Sequence, residues 1–173
     1  MGDLLKLIGR DTLPSALVQQ FITWCILQQA RPALIIVLEV VGLEDTSKQI
    51  QTTDKFDQLL TLSTQANTEA KQLRQYAKTG PLGYSAAEAA AFEFTNMLNA
   101  ARDAQFDAEA VAFFAARVCG WSGWAATQFN DPGQKAVAEA KAKQDQEQKL
   151  QHLWRQISPK AFPDLNIASS KVN

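Results

Sequence analysis

The sequence predicts an all-α fold, a single-domain antiparallel bundle of about five to seven helices. Three observations predict it. Apolar residues recur at three-four spacing through most of the 173 residues. Capping side chains ahead of these runs and Gly or Pro behind them leave connections of only a few residues, which makes consecutive helices antiparallel neighbours. No run rich in Val, Ile, Thr and aromatics alternates apolar with polar between turn signals, so no strand is expected.

Taken in order, Thr12 followed by Leu13 and Pro14 reads as an N-cap region with proline in the first turn, opening a helix through Phe21, Trp24 and Cys25. Pro32 is expected to break or kink that helix, because proline lacks a backbone donor and clashes with the preceding turn. A second apolar segment, residues 33–41, stops at Gly42, the residue suited to a left-handed position after a helix. Leu34, Ile35, Val37, Leu38 and Val41 point in too many directions for a surface helix, so this piece is expected to be central.

Residues 46–79 are more polar, and Phe56, Leu59, Ala66, Ala70, Leu73 and Ala77 trace a thin seam, as in one or two peripheral helices. Gly80-Pro81 ends this stretch. Ser85 with Glu88 reads as a capping box opening an alanine-rich helix over residues 86–104. Asp107 is placed to cap the next helix, and Asp131-Pro132 with Gln134 the last, which continues through Leu150, Leu153, Trp154 and Ile157 to Ser158-Pro159. The expected domain covers residues 1–166, with a disordered tail over 167–173.

The helix after Asp107 carries two stripes. Val111, Phe114, Val118, Trp121 and Ala125 form a mostly large apolar seam, while Ala112, Ala116, Gly120, Gly123 and Thr127 form a parallel stripe of small residues. Glycine inside a helix costs about 1 kcal/mol relative to alanine, so two within one turn point to a backbone or ligand approaching very closely. Such a helix is built to be surrounded.

Charge excludes some functions. Lys plus Arg number 17 against 18 Asp plus Glu, a net charge of −1, without the basic face that nucleic acid or an anionic membrane attracts. The N-terminus lacks the pattern of a secretory signal, and Lys6 occupies the position where a myristoylation site has Ser or Thr. The unbroken apolar runs are far shorter than the about 20 residues that span a bilayer. A cytoplasmic protein with no membrane and no nucleic-acid partner is expected.

Catalytic equipment is scarce. His152 is the only histidine, it lies on the charged final helix, and Lys149 stands three residues before it, so no Glu-x-x-His motif is present. The Gly120, Gly123 pair is not followed by Lys-Ser or Lys-Thr and follows no strand, which removes a phosphate loop. Cys25 and Cys119 read first as buried thiols; a disulfide and a reactive nucleophile are the alternatives. No metal, no cofactor and no enzymatic activity are expected.

What remains is a set of charged and aromatic residues inside apolar helices. Glu93, Arg117 and Glu39 read as helix-edge residues, or Glu93 and Arg117 as a buried pair on facing helices; the sharper reading is a polar pocket with perturbed ionisation. Trp121 and Trp124 share a helical face, either packed in the core or against the last helix, or serving as a binding hot spot. The mixed charges of the final helix, from Lys135 to Lys149, read as a solvated face that needs no partner.

The alanine-rich helix, the short acidic loop and then Ala115-Ala116-Arg117-Val118-Cys119-Gly120, with Thr127 further on, resemble the second half of the alanine-rich helical immunity proteins of bacterial toxin systems. The Trp24-Cys25 segment leading to Pro32 and Leu38-Glu39 resembles that family's first half. Where the family has histidines after the glycine, this chain has Trp121 and Thr127. The resemblance implies a small cytoplasmic protein that works by binding another protein. The expected function is therefore a non-enzymatic protein-binding module, with toxin neutralisation as its most concrete form and Arg117, Trp121, Trp124 and Trp154 as the partner surface. A homo-oligomer is compatible with it. The alternative is a bundle holding a small apolar ligand, or an enzyme of unfamiliar type, around Glu93, Arg117 and Trp121.

Overall fold

The structure, a computed structural model, describes residues 14–77, 81–102 and 107–157. Among them are six helices and no strand: α1 (Ser15–Val40), α2 (Glu44–Thr52), α3 (Phe56–Tyr76), α4 (Pro81–Arg102), α5 (Ala108–Ala125) and α6 (Gly133–Ile157). The all-α bundle expected from the sequence is the fold. Thr12, the residues after Ile157 and both expected domain ends lie outside the described residues.

Pro32 does not break α1. Instead the turn before it, Cys25–Ala30, widens to π geometry, and the Arg31 N–H donates five residues back to the Ile26 carbonyl. The wider turn accommodates a residue with no N–H to offer and a ring that would otherwise press on the preceding turn. At the other end, Gly42 takes φ = +80°. The N–H groups of Leu43 and Gly42 close onto the carbonyls of Leu38 and Glu39, at 2.9 and 3.0 Å, which satisfies two acceptors that a helix end leaves open. Pro14 sits just ahead of the first helical residue, Ser15, rather than within the first turn. The second half of α1 is central on one side only: Leu34, Val37 and Leu38 are buried, whereas Ile36 and Val40 are exposed.

The polar stretch expected to be one or two helices is two. Arg31 fixes α2 against α1 by donating to the carbonyls of Thr53 (3.0 Å) and Gln51 (2.7 Å), where the last carbonyls of a helix lack partners and attract a cation. The expected capping box is corrected. α4 begins at Pro81, because proline's missing N–H would have no intrahelical partner at a first helical position. Ser85 therefore lies inside the helix, and Glu88 pairs with Arg74 of α3 at 3.0 Å. The other caps hold: the Asp107 carboxylate accepts from the Ala110 N–H, and that of Asp131 from the Gly133 N–H, each at 2.9 Å.

Helices α3 to α6 pack each against the next, and α1 lies across α4 and α5. Contacts Ser63–Thr95 and Asn67–Glu88 run in opposite senses along α3 and α4, as antiparallel neighbours require. The small stripe of α5 faces α6. A Cβ on Gly123 would stand 2.4 Å from the Ala138 Cβ and 2.7 Å from the Gln134 carbonyl oxygen; one on Gly120 would stand 3.1 Å from the Lys135 carbonyl oxygen. Thr127, expected to extend the stripe, lies in the turn beyond the end of α5.

One buried polar cluster ties three helices together. Gln29, inside the π turn, donates from Nε2 to the Ala142 carbonyl (2.8 Å), and Gln146 Nε2 donates to both Gln29 Oε1 (2.8 Å) and the Ala112 carbonyl (2.8 Å). Gln146 is only 1% exposed, which corrects the reading of the last helix as a merely solvated face.

Two mutational outcomes follow from this packing. Gly123→Ala should lower stability by about 1 to 3 kcal/mol despite alanine's better helix propensity, because the obstruction at 2.7 Å is backbone and cannot rotate away. Gly120→Ala, with its nearest obstruction at 3.1 Å, should cost less; equal denaturation midpoints for the two variants would refute the ranking. Gln146→Leu should destabilise by about 2 to 4 kcal/mol, since it strips a donor from two buried acceptors, and Gln29→Leu added to it should cost less than the sum of the two single changes in urea denaturation.

Candidate functional site

Four residues at three-four spacing, Phe113, Arg117, Trp121 and Trp124, line one edge of α5, the edge that neither α1 nor the small stripe uses. Arg117 Nε donates to Glu93 Oε1 of α4 at 2.6 Å, and its guanidinium carbon lies 5.5 Å from the centre of the Phe113 ring. One turn on, Trp121 and Trp124 pack with ring centres 6.0 Å apart, and Trp124 meets Phe129 edge-on at 5.4 Å. Lys135, from the first turn of α6, places Nζ 3.1 Å from the centre of the Trp121 ring. Phe129 in turn packs over Gly83, where a Cβ would stand 2.9 Å from its ring.

Glu93 is 7% exposed and Phe113 48%; the arginine between them thus runs from the interior to the surface. The indole N–H groups of Trp121 and Trp124 are shielded from solvent with no acceptor, each an uncompensated desolvation of about 1 to 3 kcal/mol. Burial and the neighbouring Arg117 lower the proton affinity of Lys135, while Glu139 and Glu93 oppose the shift. The site thus concentrates aromatic surface and nitrogen donors, and its one deep carboxylate is held by Arg117.

The structure places the sequence-predicted residues unevenly. Glu93 and Arg117 form the pair on facing helices, and Trp121 and Trp124 join them as half-buried residues. Trp154 does not join: α6 runs antiparallel to α5, and nineteen residues at about 1.5 Å each carry it about 28 Å along the helix from Lys135. His152 is exposed and shares a 3.1 Å hydrogen bond with Gln156. Glu39 is a helix-edge residue whose carboxylate accepts from Ser47 Oγ at 3.3 Å. Sequence reasoning missed Phe113, though its position four residues before Arg117 is the spacing of a cation–ring contact on a helix. It also missed Lys135, for which no local signal exists, because the contact is made across a helix crossing.

Two surface grooves lie elsewhere. One of about 570 Å³ runs beside Gln19, Gln20, Trp24, Gln28 and Lys149, and one of about 310 Å³ beside Asn67, Lys71, Arg74 and Phe92. Neither is lined by Glu93, Arg117 or Trp121. Among the described residues no group of three His, Cys, Asp or Glu side chains is gathered to hold a metal. By length and mean hydropathy the Ser15–Val40 helix could cross a membrane, a property hidden in the sequence by its interrupting glutamines, yet half of its apolar window is buried within the protein, as in a core helix. No protein-family model, no curated protein and no solved structure matches the chain.

Cys25 and Cys119 are both unpaired thiols, and the Cys119 S–H points at the Gln29 carbonyl at 3.7 Å. Burial, with Asp145 nearby, pushes Cys119 from 9.0 up to about 12; burial and Cys119 push Cys25 up as well. Both folded thiols hold their protons more tightly than the unfolded chain does, so the associated stability is fully present below about pH 9 and is lost as pH rises towards about 12. The urea midpoint should fall more steeply over that window than in a Cys25→Ala, Cys119→Ala variant, and iodoacetamide at about pH 8 should label neither thiol before unfolding. Rapid labelling of the native chain would contradict this placement.

Proposed function

We propose that this chain is a non-enzymatic protein-binding module that engages its partner through the Phe113–Arg117–Trp121–Trp124 edge of α5, and that its most concrete role is the neutralisation of a protein toxin. The observation that carries the reading is the aromatic–arginine cluster on one edge of an otherwise enclosed helix: an exposed Phe113 ring beneath a guanidinium, followed by two half-buried indoles. Trp, Tyr and Arg dominate binding energy where a partner completes their desolvation, and aromatic and Arg enrichment distinguishes interfaces from ordinary surface. The toxin-specific part rests on the sequence resemblance to helical immunity proteins.

The test is capture of proteins from the native cell by the immobilised chain, compared with Phe113→Ser and Trp124→Ala variants shown to be folded by circular dichroism. One protein recovered in comparable amount to the chain, and reduced at least about tenfold by either variant, is expected. Undiminished recovery by both folded variants would move the surface elsewhere. The gene for the retained protein should arrest growth when expressed alone and permit it when co-expressed with this chain; a harmless retained protein would remove toxin neutralisation and leave the binding module.

A further inference from the structure

The whole chain carries a net charge of −1, yet the sign reverses locally where α6 crosses the edge of α5. Lys135 seats its ammonium 3.1 Å from the centre of the Trp121 ring, and the ring face favours the charged form. Among the described residues no carboxylate lies within ion-pair distance of its Nζ. The acidic groups around it are already engaged. Glu93 of α4 is held by Arg117 at 2.6 Å, and Glu139, one turn along α6, by Lys143 at 2.7 Å. Asp131, just before α6, accepts from the Gly133 N–H and from Gln134 Nε2. Arg117 stands one turn before Trp121 with 38% of its side chain exposed. Among the described residues its guanidinium donates one hydrogen bond, from Nε to Glu93, and its two Nη groups donate none. Glu109, in the first turn of α5, lies eight residues or about 12 Å before Arg117 along the helix. Positive charge is therefore in excess on this edge.

We propose that the partner docks an acidic segment here, its carboxylates bound by the Arg117 Nη groups and the Lys135 ammonium and its apolar side chains laid on the exposed Phe113. The proposal rests on the reading of this edge as the partner surface and adds the partner's chemistry. Guanidinium donors pair with a carboxylate as a planar fork. That fork is already aligned, because Nε is fixed on Glu93 and the guanidinium packs on the Phe113 ring, and a pre-aligned group costs less ordering when a partner arrives. Lys135 is half-buried, with the indole on one side of its charge. Complementary charge speeds encounter and rejects basic partners. A nucleic acid brings a phosphate at every nucleotide and calls for a broader basic face than two cations on a chain of net charge −1 provide.

The experiment is an NMR titration of the isotope-labelled full chain with a synthetic peptide of about twelve residues repeating Glu-Glu-Phe, beside its Gln-Gln-Phe counterpart and an oligothymidylate of the same length. The acidic peptide is expected to shift the indole N–H signals of Trp121 and Trp124 and the Arg117 Nε–H signal, to leave that of Trp24 in place, and to bind at least about tenfold more tightly than the neutral peptide at low salt. Lys135→Gln, which breaks no ion pair, should weaken the acidic peptide at least about threefold. Arg117→Gln combined with Glu93→Gln, which leaves no buried carboxylate unpaired, should weaken it further. Equal binding of the two peptides, binding of neither, tighter binding of the oligothymidylate, shifts confined to other parts of the chain, or undiminished affinity in both variants would overturn the acidic partner. The titration needs no captured protein. A captured protein lost with Phe113→Ser but retained with Lys135→Gln would keep the docking surface and remove its acid preference, whereas the expected titration with no protein captured would count against the docking-surface reading alone.

Discussion

The constraint on which the remaining packing depends is the approach of α6 to the backbone of α5. Along the turn from Gly120 to Gly123 the second helix comes so near that a methyl group at Gly123 would overlap Ala138 and the Gln134 carbonyl oxygen. Such an approach fixes the distance between the two helices, and Gln146, which donates to the Ala112 carbonyl and to Gln29, fixes their register. A buried amide is tolerated only where its donors and acceptors are met. The crossing of two helices thus decides where the third, α1, can dock, and the π turn that carries Gln29 is the local adjustment that lets α1 run through Pro32 while presenting that amide inward.

Enclosure of α5 explains why its chemistry is confined to one edge. α6 takes the small stripe, and the Phe113, Arg117, Trp121, Trp124 row lies on a neighbouring edge that Glu93 of α4 and Lys135 of α6 reach from either side, with Trp121 also packed against the core. The ion pair on that row is asymmetric: Glu93 has 9% of its side chain exposed and Arg117 38%. The buried carboxylate therefore needs the arginine more than the arginine needs it, since an unpaired carboxylate at that depth would be strongly disfavoured. Packing of the arginine on Phe113 limits where its remaining donors can point.

Much of the fold was legible because its signals are local. The cap at Asp107 and the left-handed Gly42 each follow from a few adjacent residues and are found where the sequence places them, while the seam expected over residues 46–79 is buried at Leu59, Ala66 and Ala70 but exposed at Leu73, and Ala77 lies past the helix end. The failures also have local causes that a neighbouring feature overrode. Ser85 and Glu88 have the spacing of a capping box, but Pro81 starts the helix a turn earlier and Arg74 of α3 claims the glutamate. Of the break or kink expected at Pro32, the break does not occur, because a π turn carries the helix through. For the site, the Glu93–Arg117 pair and the Trp121–Trp124 contact were legible from charge and spacing. Lys135 was not, because its contact is made across a helix crossing; Gln146 sits on the seam of Ala142, Leu150 and Leu153, but a glutamine among charged residues reads as surface.

The unpaired indoles separate a general consequence of this packing from a feature of the site. Trp121, Trp124 and Trp154 all bury an N–H without an acceptor, and Trp154 does so far from the other two. An indole nitrogen is thus left without an acceptor away from the ring cluster of the site as well as within it, and an orphaned donor alone marks nothing. What sets the Trp121–Trp124 turn apart is the company of cations: Arg117 four residues earlier, and Lys135 lying on the Trp121 ring. An ammonium ion over an indole face is stabilised by the ring's quadrupole by about 0.5 to 2 kcal/mol, which opposes the loss of proton affinity from burial and from Arg117. Lys135 is therefore held between two influences of opposite sign: the indole face favours the ammonium, while burial and Arg117 lower its proton affinity.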